Sequence, residues 1–166
     1  MSKYAFTIKY LSDTFYDAYP AAEYPEILKK DSRPYTCLLL KTHYDFFICI
    51  PFRTDIRHKY AYHFHSSRRA SAHHSGLDYT KMVLISDASF IDSAPAVVDQ
   101  DEYVELRSNI EKICKKALIY LEDYIAFING KHVIDSEEFF RRYRYSALPC
   151  FHDILFHSSQ TPEFLL

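Results

Sequence analysis

The chain has 166 residues, 48% of them hydrophobic and 25% charged, which is the balance of a globular protein long enough to bury one core and excludes disorder over its whole length. Its 22 acidic and 20 basic residues nearly cancel, so net charge assigns no partner. Its 2 glycines, Gly76 and Gly130, are too few for a GxGxxG turn or a Walker-type phosphate loop. No run approaches the ~20 apolar residues of a membrane helix.

In chain order, Tyr4–Tyr10 alternates bulky and smaller residues and reads as a strand. Met1-Ser2-Lys3 runs straight into it without a secretory apolar region, and the expected compartment is the cytoplasm. Ser12-Asp13 caps a short helix over Thr14–Tyr19, which Pro20 ends. Pro20, Pro25 and Pro34 mark a surface loop. The apolar runs Tyr35–Leu40 and Phe46–Phe52, joined by Lys41-Thr42-His43-Tyr44-Asp45, form a hairpin. Tyr60–His65 alternates again as a strand, and Lys81–Ile85 is a further strand buried on both faces. The polar, basic stretch Ser66–Ser75 between them is expected to be a mobile loop.

From Asp99 the period changes. Leu106, Ile110, Ile113, Cys114, Ala117, Leu121, Ile125 and Ile128 recur at three- and four-residue spacing and predict one long amphipathic helix. Asp99 and Glu102 make a capping pair at its start, and Asn129-Gly130 ends it. Asp135-x-x-Glu138 opens a second helix carrying Arg141, Arg142 and Arg144. Leu148–Phe156 packs on the body, and residues 157–166 are expected to fray. The whole is one α+β domain over residues 1–166, a curved antiparallel sheet with helices packed on one side. Cys37, Cys49, Cys114 and Cys150 lie far apart among apolar neighbours and read as free thiols.

Charge is unevenly spread. Between Pro51 and Lys81 stand Arg53, Arg57, Lys59, Arg68, Arg69 and Lys81 against Asp55 and Asp78 alone, with five of the 9 histidines, His58, His63, His65, His73 and His74. Tyr60, Tyr62 and Phe64 are interleaved with them. Cations for phosphates and rings for bases suit single-stranded nucleic acid. A solvated, internally paired surface and an anionic small-molecule site are the competing readings. His63 with His65, or His73 with His74, could ligate a metal, but no Cys or carboxylate stands at ligand spacing, and neither metal nor cofactor is expected. The sharpest element is Arg53-Thr54-Asp55-Ile56-Arg57-His58-Lys59, leaving a buried strand directly after Pro51-Phe52. Attack by a ribose 2′-hydroxyl on its own phosphodiester needs a base, an acid and cations for the phosphorane, and Arg53, Thr54, Arg57, His58 and Lys59 supply such groups.

Arg33-Pro34-Tyr35-Thr36-Cys37-Leu38-Leu39-Leu40 followed by Phe47-Ile48-Cys49-Ile50-Pro51-Phe52-Arg53-Thr54 resembles the ToxN/AbiQ toxins of type III toxin–antitoxin systems, most of all the TenpN branch. Arg57-His58-Lys59, Gly76-Leu77-Asp78, Asp99–Tyr103 and Arg144–Leu148 before Phe151-His152 extend the similarity over roughly residues 4–155. The resemblance implies an SH3-like, MazF/Kid-related barrel with a long C-terminal helix and additional helices. It also implies a metal-independent, sequence-selective endoribonuclease that leaves a 2′,3′-cyclic phosphate, a protein monomer assembled with a repetitive pseudoknot RNA antitoxin, and mRNA as substrate. Family members carry a small hydroxyl residue after the Pro-hydrophobic step, where this chain has Arg53-Thr54. The family's following Lys falls on Arg57 or Lys59, and its basic residue before the second strand on Arg33. Tyr35, Tyr60, His63, His65, Arg68, Arg69 and Lys81 complete the expected RNA surface. Two other classes remain open: a non-catalytic RNA-binding module and a protein-interaction domain using the aromatic surface.

Overall fold

The structure, a computed structural model, describes residues 4–29, 36–131 and 133–157. Its elements are strand β1 (Ala5–Leu11), helix α1 (Asp13–Ala18), strands β2 (Thr36–Lys41), β3 (Phe47–Arg53) and β4 (Ala61–His63), helix α2 (Arg68–His73), strands β5 (Gly76–Asp78), β6 (Val83–Ile85) and β7 (Ile91–Pro95), and helices α3 (Gln100–Ser108), α4 (Ile110–Ile128), α5 (Ser136–Tyr143) and α6 (His152–His157). All described pairings are antiparallel, in the order β4-β5-β3-β2-β1-β7, with β6 beside the first half of β3. This is the α+β architecture expected, a seven-stranded antiparallel sheet with helices.

The hairpin forms as its composition dictates, β2 against β3 in the register Leu39 opposite Cys49. Cys37–Leu40 and Ile48–Ile50 are all buried. Successive strand residues point to opposite faces, so unbroken burial means that both faces of the hairpin are covered. The buried stripe of α4 (Ile110, Ile113, Cys114, Ala117, Leu121, Ile125) belongs to the same core. So do the rings of Phe15 and Phe151, against which the partly buried Tyr19 and Phe90 pack, with Tyr19 5.3 Å from Phe151 and Phe90 5.7 Å from Phe15. Cys37, Cys49 and Cys114 are buried free thiols, and Cys150 is half-buried.

Helix starts are capped where expected, but the Glu102 side chain does not complete the capping pair with Asp99 and turns instead to the Ser67 and Ser75 hydroxyls. The Ser12 hydroxyl accepts from the Phe15 amide, Asp99 from Asp101 and Glu102, and Asp135 from Glu138. Gly130 closes α4 with φ +81°, a left-handed turn that suits glycine.

Four expectations need correction. The long helix from Asp99 is two helices, because the Asn109 side chain donates to the Glu105 carbonyl at 2.8 Å and its backbone leaves helical geometry at φ −117°, ψ 14°. The apolar stripe continues across the break, so periodicity alone does not register it. The loop Ser66–Ser75 contains α2, capped by the Ser67 hydroxyl, which accepts from the Ala70 amide at 2.9 Å. The strand expected from Lys81 begins only at Val83, because Tyr79–Lys81 coils into a 3-10 turn. The strand Tyr60–His65 shortens to Ala61–His63. Strand β7 escapes a sequence reading because Asp92, Ser93 and Pro95 are poor strand formers, tolerated here at the sheet edge. The expected frayed tail lies outside the described residues from 158 on.

Candidate functional site

The 3-10 turn shapes the site. Cys49 faces Val83 and Phe52 faces Leu77, so three steps along β3 meet six along its partner. Among the described residues Ile50 and Pro51 have no partner on that edge, a position suited to proline, which has no N–H to donate. The surplus residues turn back under the exit of β3, with Asp78 as their cap.

Asp78 is fully buried and wholly engaged. Its Oδ1 accepts from the Thr80 hydroxyl at 2.6 Å and the Thr80 amide at 3.0 Å. Its Oδ2 accepts from Nη1 of Arg53 at 2.6 Å, and Nε2 of His58 lies 3.3 Å from Oδ1. Burial pushes this carboxyl up, but the contacts of His58, Thr80 and Arg53 outweigh it and hold it below the usual carboxylate range. The carboxylate therefore stays ionised and anchors two side chains that are each about a third exposed, 33% for Arg53 and 35% for His58.

His58 is held on three sides. Its Nδ1 accepts from the Tyr60 amide at 3.1 Å, Nε2 faces Asp78, and its carbonyl lies 2.8 Å from Nε2 of His63 on β4. Accepting at Nδ1 places the ring proton on Nε2, pointed at the carboxylate. Arg53, His58, His63, Asp78 and Thr80 thus form one hydrogen-bonded chain across β3, β4 and β5.

The other candidates are more dispersed. Thr54 is exposed, and its hydroxyl makes no hydrogen bond among the described residues. Arg57 is exposed and bonds Asp55, its Nη2 2.6 Å from Oδ1. Asp55 has φ 59°, a left-handed conformation that Asp tolerates better than most residues. An exposed pair of this kind contributes ~0–1 kcal/mol. Lys59 is exposed, with its ammonium 5.6 Å from the centre of the half-buried Tyr60 ring. His65 is exposed, and Arg68 is exposed on α2. Arg69 lies 3.9 Å from Glu102. Lys81 is turned to Glu26 and the Tyr145 carbonyl, each at 2.7 Å. Arg33 and Tyr35 lie outside the described residues.

Two buried glutamates of α3 pin the segment that carries α2. Glu102 Oε2 accepts from the Ser67 and Ser75 hydroxyls, both at 2.8 Å. Glu105 accepts from the Tyr62 hydroxyl at 2.7 Å and from the His65 and Ser66 amides, both at 2.9 Å. Burial pushes the Glu105 carboxyl up, and these donors overcome it and lower it. Sequence reasoning missed Asp78, Thr80, Glu102 and Glu105. A signal existed for the glutamates, which fall in phase with Leu106 on the apolar face of α3. Asp78-x-Thr80 has the spacing of a side-chain-capped turn.

Among the described residues no three His, Cys, Asp or Glu side chains are placed to hold a metal, and no helix is long and apolar enough to cross a membrane. No family model, curated protein or solved structure matches the chain.

Proposed function

We propose that the chain is a metal-independent endoribonuclease, the toxin of a type III toxin–antitoxin pair, built on an SH3-like, MazF/Kid-related barrel. The observation that carries the reading is the alignment of Arg53 and His58 by buried Asp78 at the exit of β3, next to the exposed Thr54. Arg53 spends one of its five N–H donors on Asp78 in the contact at 2.6 Å, and others remain for a phosphate oxygen. Thr54 binds a second phosphate oxygen or orients the 2′-hydroxyl. Arg57 and Lys59 add charge for the dianionic phosphorane. The attacking 2′-oxygen forms a bond to phosphorus as the bond to the 5′-oxygen breaks. One proton leaves the 2′-hydroxyl and one reaches the departing 5′-oxygen. The RNA antitoxin, a repetitive pseudoknot, covers this cationic surface, and the assembly is held together by RNA around a monomeric protein.

A second reading is favoured by one observation. Both ring nitrogens of His58 are already engaged, so proton transfer to substrate requires one contact to open. A site that cannot open it is a non-catalytic RNA-binding module.

Purified protein with single-stranded RNA in EDTA decides between them. The nuclease reading expects cleavage to 2′,3′-cyclic phosphate ends, falling by about 10²–10⁴-fold in His58→Ala and in Thr54→Ala with Arg57→Ala. Salt-dependent RNA affinity without cleavage at any pH moves the assignment to the binding module. Absence of RNA affinity at low salt ends both. Tandem short repeats followed by a terminator in the neighbouring DNA would identify the antitoxin.

A further inference from the structure

A pocket of about 320 Å³ opens beside the candidate site, between the start of β4 and helices α4 and α5. Its size falls at the lower end of small-ligand clefts, roughly 300–1,000 Å³. Its lining includes the rings of Tyr60, Tyr79 and Tyr120 together with Ile119. Tyr79 and Tyr120 are buried, whereas Ile119 is 56% exposed on the otherwise polar side of α4. Lys59, Lys116 and Arg142 supply the cations.

Those three cations are not equivalent. Arg142 is neutralised by Asp123 at 2.8 Å and Glu138 at 3.2 Å. Lys59 and Lys116 have no carboxylate within ion-pair distance among the described residues, and both are exposed. Within the cluster after Pro51, Arg53 and Arg57 are paired and Lys59 is not, among the described residues. The unpaired cation of that cluster therefore lies at the pocket, where Lys116 joins it. Two free ammonium groups beside tyrosine rings and an isoleucine match a ligand with an anionic edge and a flat apolar face. A nucleotide has both. The pocket adjoins the candidate site, since Lys59 and Tyr60 follow His58 directly and the Tyr60 ring lies 6.0 Å from the His58 ring.

We infer that this pocket receives a nucleobase of single-stranded RNA next to the linkage at Arg53 and His58, with Lys59 and Lys116 on its flanking phosphates. The base stacks on Tyr60 and lies against Ile119. The inference rests on the proposed function and gives that site a second wall, from α4. A duplex, whose bases are stacked away, does not satisfy it.

The test uses the full chain and a short single-stranded 2′-O-methyl RNA, which has no 2′-hydroxyl to attack and so reports binding without cleavage. Fluorescence anisotropy follows the labelled oligonucleotide across a salt series. Lys116→Ala is expected to weaken binding several-fold and to lower the slope of log K against log salt by about 0.7, the value for one phosphate contact on a single strand. Lys112→Ala removes an exposed charge from the same helix outside the pocket and is expected to leave both quantities nearly unchanged. An oligonucleotide with abasic sites keeps its phosphates and is expected to bind about ten-fold more weakly or worse. Tyr60→Leu should largely remove that difference. Equal effects of Lys116→Ala and Lys112→Ala, equal binding of the abasic strand, or preference for a duplex overturns the pocket assignment. Wild-type cleavage of ordinary RNA would then leave the nuclease reading standing. Pocket binding without cleavage supports the inference and removes the nuclease reading instead.

Discussion

Asp78→Asn tests the organisation of the site most directly. The substitution keeps the shape of a fully buried side chain but removes its charge and turns one oxygen into an amide donor. If the substituted side chain keeps its oxygen on the Thr80 amide, its NH₂ faces the Arg53 guanidinium, donor against donor, where Oδ2 of Asp78 accepts at 2.6 Å in the wild type. Removing one partner of a buried ion pair costs about 3–5 kcal/mol. Arg53 is 33% exposed and recovers some hydration, so about 2–3 kcal/mol is expected. In a chain of 166 residues that corresponds to a fall in Tm of roughly 5–10 °C, measured by calorimetry or circular dichroism near neutral pH. The pH dependence has a definite sign. Folding lowers the Asp78 pKa, so the native state binds this proton less readily than the unfolded chain. Its stabilisation is complete above the unfolded value of about 3.9 and is lost as pH falls through the lower folded value. The gap between wild type and variant should therefore be widest near neutrality and should close in acid. An unchanged Tm at neutral pH, or a gap that persists or widens in acid, refutes the account of Asp78 as an ionised anchor.

Further outcomes follow from the same structure. At Gly76 an added Cβ would lie 2.3 Å from the Tyr62 carbonyl oxygen and 3.2 Å from Cδ1 of Ile56, so Gly76→Ala forces β4 away from β5. The expected cost is ~3 kcal/mol or more in urea unfolding, and a loss below ~1 kcal/mol would mean that the strands are not this close. Glu105→Ala removes the acceptor shared by Tyr62, His65 and Ser66 and should cost about 2–3 kcal/mol. Hydrogen exchange at the His65 and Ser66 amides should accelerate, and unchanged protection there would show that Glu105 does not hold this segment.

Much of the fold is legible because its signals are local. The hairpin of β2 and β3 follows from two apolar runs and a short polar link. Ser12, Asp99 and Asp135 cap helices because their side chains reach amides two or three residues on. The break at Asn109 is harder to read, since α3 and α4 share one apolar stripe and only the Asn109 contact with Glu105 marks it. The basic stretch after Pro51 is visible as composition, but composition does not say which charges are spent. The fold pairs Arg53, Arg57 and Lys81 with Asp78, Asp55 and Glu26, and leaves Lys59 without such a partner among the described residues.

By itself the sequence determined the α+β class, the central hairpin, the helix caps and the buried apolar runs. Each is set by spacings within one turn or one strand, where side-chain period and hydrogen-bond reach decide the outcome. Only the tertiary structure decided that Asp78 would align Arg53 and His58, that Glu102 and Glu105 would hold the segment before β5, and that Lys116 would stand across a pocket from Tyr60. Those contacts join residues tens of positions apart, through strand order, through three surplus residues opposite β3 and through the packing of α3 and α4. Burial then sets their strength, because a carboxylate shut away from water binds whatever donors the fold brings to it far more firmly than the same group on the surface.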